Sequence, residues 1–141
     1  MVKRTLALFA VLIAGVSCSH FQSVCPACRS HIREANVEAE ALKIVSSAKS
    51  LEEMEVRLLS KEYCVSEVWC KVPESDLPSL WCGHPKLEYV PGSEPGRIRL
   101  LQCSSPEVTI SLFVTSQVEF LLALVDGKPM LIGAHERQMS F

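Results

Sequence analysis

The chain has 141 residues, 48% of them apolar and 21% charged, with a formal net charge of −2 at pH 7. That balance is of a folded globule rather than a disordered chain, and it supplies neither the basic field that nucleic acid requires nor a strongly acidic tail. About 120 residues beyond a leader suffice for one domain with a modest core and are too few for two.

The N-terminus opens Met1-Val2-Lys3-Arg4, a short basic stretch, followed by ten residues from Thr5 to Ala14 with no charge. A bilayer-crossing helix needs roughly twenty apolar residues, so this run reads as the h-region of a signal peptide. Gly15, Val16 and Ser17 supply the small residues that suit cleavage beside Cys18. Residues 1–18 are therefore read as a secretory signal peptide and 19–141 as a single small domain, secreted to an extracellular, oxidising compartment with no membrane span left after cleavage. A lipid on Cys18 is the competing outcome of processing. Loss of Lys3 and Arg4 moves the net charge from −2 to −4.

From 30 to 49 the sequence is rich in Glu, Ala, Leu and Lys, and Ile32, Ala35, Ala39, Leu42 and Val45 recur at three- and four-residue spacing. This predicts an amphipathic helix with that stripe toward a core and Glu34, Glu38, Glu40 and Lys43 solvated. Ser50 and Glu53 match a capping box at a second helix over 51–61, although Met54, Val56 and Leu58 also alternate with Glu53, Glu55 and Arg57 as a strand would. Residues 64–72 are β-branched and aromatic enough for a short strand with Trp69 in the core. Five prolines between 73 and 96 then predict a long loop pinned by Cys82, and loops of that length are uncommon inside a compact domain and are often functional or mobile.

Residues 97–135 carry the clearest pattern. Ile98 and Leu100 alternate with Arg97 and Arg99, and Val108, Ile110, Leu112 and Val114 alternate with Thr109, Ser111 and Thr115. Two further apolar runs, 118–125 and 129–134, flank Asp126-Gly127, the dipeptide that tolerates positive φ at both positions of a two-residue hairpin turn. The predicted fold is α+β: an N-terminal amphipathic helix or helix pair packed on a three- to five-stranded antiparallel sheet.

Beyond Cys18, the cysteines are Cys25, Cys28, Cys64, Cys70, Cys82 and Cys103. An even set of six in a small secreted domain predicts a framework of three disulfides, in any of fifteen pairings. Zinc is the competing use, through Cys25, Cys28 and His31 or through Cys82 and His84, but the second group does not repeat the spacing of the first. No metal or other cofactor is assigned.

Cys25-Pro26-Ala27-Cys28 is the one motif with a catalytic mechanism attached, because a thiol at the mouth of a helix is stabilised as a thiolate. With Arg29 after it and the proline-led stretch Lys128-Pro129-Met130-Leu131, it resembles the active-site turn of thioredoxin-superfamily enzymes. That resemblance implies a thiol–disulfide oxidoreductase with Cys25 as nucleophile and Cys28 as resolving thiol. Those enzymes carry a strand leading into the motif, and here the signal segment and the six residues Ser19 to Val24 stand in that place. The histidines His20, His31, His84 and His135 are scattered, and no nucleophile elbow, metalloprotease helix or phosphate loop occurs. The favoured expectation is a non-enzymatic module that binds an extracellular protein or surface through loop 73–96, with Trp81 and His84 as its contact residues; the oxidoreductase is the alternative.

Overall fold

The computed structural model describes residues 26–89 and 96–141, with side chains from position 31 onward. The chain divides into two compact units, Met1–Ile32 and Arg33–Phe141. The first is represented by the opening of a helix, and the architecture below is that of the second. The signal segment, Cys18 and Cys25 lie outside the described residues, as does the Cys28 side chain.

The protein is α+β, with two helices packed on a six-stranded antiparallel sheet, one strand more than the sequence predicts. In chain order these are α1 (Pro26–Val45), α2 (Leu51–Leu59), β1 (Cys64–Cys70), a 3-10 helix (Glu74–Ser79), β2 (Leu87–Glu88), β3 (Ile98–Ser104), β4 (Val108–Ser111), β5 (Val114–Val125) and β6 (Lys128–Ser140). β2, β1, β3 and β5 neighbour one another in that order. Because β6 pairs along nearly the whole of β5, both β3 and β4 must share the opposite side of β5.

Ser105 bridges the break between β3 and β4. Its backbone N–H donates to the Val118 carbonyl, and its hydroxyl accepts from the Val118 N–H, both at 2.9 Å. A buried strand that has lost its neighbour's ladder thereby keeps its donor satisfied.

Period two divides the sheet into two faces, and both are covered. Ala41 and Val45 of α1, Met54 and Leu58 of α2, and Tyr63 pack against Leu101, Cys103, Val118, Phe120 and Leu122. The Tyr63 and Phe120 rings meet edge to face, centroids 6.1 Å apart. On the other side Val68, Cys70, Leu100, Leu121, Ala123 and Ile132 lie beneath Leu77, Leu80 and Leu87 of the proline-rich segment.

The helix predicted over 30–49 is present, but its core stripe is rotated. Val37, Ala41, Ile44 and Val45 face the sheet, whereas Ile32, Ala35 and Ala39 are exposed. Polar contacts accompany that rotation. The Glu34 carboxylate, expected in solvent, accepts the backbone N–H of Glu136 at 2.8 Å. Arg33 and the Ser116 hydroxyl both bond the Glu136 carboxylate, whose side chain is buried. Since Glu136 lies on the outer strand β6, α1 covers part of a sheet edge that would otherwise offer free donors.

The ambiguous segment 51–61 is a helix. Ser50 caps it, its hydroxyl accepting from the Glu53 N–H at 3.1 Å, while the Glu53 carboxylate accepts the Lys49 N–H at 2.9 Å. Burial follows the helical period: Met54 and Leu58 are buried and Val56 is exposed. The run 108–115 is not one strand. It folds back at Leu112 and Phe113, so that Ser111 pairs with Val114, with a register shift between Thr109 and Ser111. Asp126-Gly127 forms the predicted turn between β5 and β6, with φ of 51° and 73°.

Candidate functional site

The described part of the proline-rich segment, residues 73–89, is ordered by its own short-range bonds. Pro73, fixed near φ −58°, precedes the 3-10 helix, whose turns close through Asp76 N–H to Pro73 O (2.9 Å) and Leu80 N–H to Leu77 O (3.1 Å). Leu77 and Leu80 are driven into the sheet and Trp81 emerges behind them. Residues Trp81, Cys82, Gly83 and His84 then form a β-turn, with the His84 N–H donating to the Trp81 carbonyl at 3.0 Å. Gly83 holds φ +87°, the value that the third position of a type II turn requires.

This turn brings together the two contact residues singled out from the sequence. The Trp81 and His84 rings lie edge to face with centroids 4.3 Å apart at 69°. The Lys86 N–H donates to His84 Nδ1 at 3.0 Å, so the neutral ring carries its proton on Nε2. Trp81 is 49% exposed. A rigid indole on an anchored turn offers large contact area with little conformational freedom left to lose.

The anchor is on β6. Pairing runs Leu121 to Ile132 and Glu119 to His135, so β6 carries one residue more than β5 between those rungs. Gly133 sits in this bulge at φ +62°, and a Cβ there would lie 2.5 Å from the Leu80 carbonyl oxygen and 2.9 Å from Trp81 Cα. The bulge also switches side-chain parity along β6, turning His135 to the loop side and Glu136 to the helix side.

Past the turn, the loop-side face is open and polar. Register aligns Cys64, Ser104, Glu119 and His135 across four neighbouring strands on this face. Glu119 bonds Arg137 (3.2 Å) and lies 3.5 Å from His135 Nε2. Desolvation, and secondarily the Glu119 charge, push the Cys82 thiol up to about 12. It is therefore protonated near neutrality, the reverse of what a thiolate nucleophile needs. Glu119, held between a guanidinium and an imidazole, does not face Ser104 through the histidine, as a hydrolytic relay would demand.

Cys64, Cys70, Cys82 and Cys103 are all free thiols. Sheet geometry accounts for part of this. Cys103 projects to the helix side, whereas Cys64 and Cys70 project to the loop side and stand six residues apart on β1, about 20 Å at strand rise. No crosslink joins any two of these four in the structure, so among the described residues the predicted framework is not seen, and the described part of the loop, 73–89, is held by Leu77, Leu80, Leu87 and the close approach to Gly133. Burial pushes the Cys70 and Cys103 thiols up as well. Among the described residues no group of three His, Cys, Asp or Glu side chains could hold a metal ion, and no described helix is long and apolar enough to cross a membrane.

Two exposed aromatic features escaped the sequence. Tyr89 lies beyond β2, its hydroxyl near Gln102 Oε1 (3.1 Å), and Leu112-Phe113 form the β4–β5 hairpin tip. No family model, curated protein or solved structure matches the chain.

Proposed function

We propose that the chain is a secreted, non-enzymatic binding module that engages an extracellular protein or surface through loop 73–96, with Trp81 and His84 at the contact. The observation that carries this reading is the half-exposed Trp81 held on a turn that is fixed from below by Gly133. A solvent-exposed indole is an unfavourable surface group in isolation, and a turn so firmly seated presents it in one orientation. The protonated state of Cys82 and the engaged Glu119 fit a binding surface better than a reactive one. Secretion rests on the basic and apolar opening of the chain. Buried, protonated thiols are slow to oxidise, so Cys70, Cys82 and Cys103 are compatible with an oxidising compartment.

In this reading Cys25 and Cys28 form a structural crosslink. The alternative, thiol–disulfide exchange at these two residues, draws support from α1 beginning at Pro26, which puts the motif at a helix start. The reduction potential of the pair separates the two. A value below about −300 mV marks a crosslink, and one near −200 mV marks an exchange centre. The binding reading itself is tested by Trp81→Ala, which should leave the fold intact and abolish partner capture.

A further inference from the structure

We propose that the β4–β5 hairpin tip is a lipid-contacting device that seats the protein on a zwitterionic membrane surface. Two-residue turns are normally built from Gly, Asn or Asp, which solvate well and relieve backbone strain. Here the turn is Leu112-Phe113, with Leu112 92% and Phe113 66% exposed. Neither residue has positive φ, a feature confined among described non-glycine residues to Glu62 and Asp126. The two side chains therefore stand at the tip without being demanded by the turn's geometry. The Phe141 N–H donates to the Phe113 carbonyl at 2.9 Å, which fixes a third large apolar side chain, 83% exposed, beside them.

The size and charge of this end of the sheet identify its occupant. Together the three side chains present on the order of 500 Å² of apolar surface, short of the roughly 800 Å² per partner of a standard protein interface. Positions 108–116 and 138–141 contain no Asp, Glu, Lys, Arg or His, so no ionisable side chain of the tip or these flanks has to shed water on approach to the headgroup region. Ser111, Thr109 and Ser140 supply hydroxyls at the depth where headgroup oxygens and water remain available. A narrow apolar tip above a neutral hydroxyl collar matches the profile of a bilayer interface, where Leu and Phe enter the acyl boundary and polar groups stay wet. The absence of basic residues favours neutral phosphatidylcholine over an anionic surface.

The test uses the purified full chain with phosphatidylcholine vesicles. In Leu112→Trp, the added tryptophan, read as difference emission against the parent protein, should shift to the blue and be quenched by lipids brominated on their tails. Emission that stays water-like and unquenched overturns the proposal. In parallel, Leu112→Ser/Phe113→Asn, which keeps residues suited to a turn, should retain the parent's circular dichroism and lower vesicle partitioning at least tenfold. Partitioning unchanged by this double variant overturns it. So does a concentration-dependent dimer that forms without vesicles and disappears in the double variant, because the tip would then contact a second copy of this chain.

Discussion

Gly133 and Trp81 are in backbone contact: the glycine has no side chain because the main chain of Trp81 occupies the place where one would go. This contact ties the one bulge of β6 to the one half-exposed indole of the loop. Gly133→Ala must both take up positive φ and displace Leu80 and Trp81, costs that together amount to about 2 kcal/mol or more. The expected outcome is a denaturant midpoint lowered at unchanged slope, together with weaker Trp81-dependent binding. An alanine variant as stable as the parent would mean that the loop is not seated on β6.

Ser105 is a second point at which one small side chain supports the sheet. Ser105→Ala leaves the Val118 N–H buried without its acceptor, and should cost about 1–3 kcal/mol. Hydrogen exchange at Val118 is the local readout and should accelerate in the variant even under conditions where the global fold persists.

The thiols make an ordered prediction. Under native conditions Cys64, which is exposed, should react with a maleimide first, Cys82 more slowly, and Cys70 and Cys103 only on unfolding. Denaturation without reductant should release all four. Fewer than four free thiols at these positions would contradict the free state of these cysteines in the structure.

Alkaline pH should destabilise the fold. Burial raises Cys82 from 9.0 to about 12 and Tyr63 from 10.0 to about 12, with the Glu40 carboxylate adding to the latter. The native state therefore holds protons that the unfolded chain releases first, so stability contributed by these groups is complete below about pH 8.5 and is lost as pH climbs from about 9 toward 12. Denaturant midpoints between pH 7 and 11 should show a plateau and then a decline. A midpoint that rises across that range would contradict the assignment.

Local chemistry was the part of the fold legible in the sequence. Ser50 and Glu53 marked a helix start because capping depends on residues three apart, and Asp126-Gly127 marked a hairpin because both must accept positive φ. Long-range choices were not legible. The α1 stripe was misjudged because two overlapping stripes of apolar residues fit the helical period, one through Ile32, Ala35, Ala39 and Leu42 and one through Val37, Ala41 and Ile44, and the long-range packing on the sheet with the contacts of Arg33 and Glu34 to Glu136 selects the second. Leu112 continued an apolar alternation that Phe113 alone interrupts, and neither is a usual turn residue, so the hairpin carried no turn chemistry to disclose it. An even cysteine count suggested crosslinks without choosing partners, because pairing depends on which face of a sheet each thiol occupies. Of the candidate site, Trp81 and His84 were visible as aromatic groups on a proline-rich loop. Their anchor was not, because Gly133 reveals its role only once Leu80 lies against it.

The most direct test of the binding account is capture from extracellular fluid on immobilised parent protein, Trp81→Ala, and Val56→Ser as a control on an exposed residue away from the loop. All three should give the same circular dichroism. The account predicts a partner retained by the parent and by Val56→Ser and lost from Trp81→Ala. Equal retention by all three would contradict it.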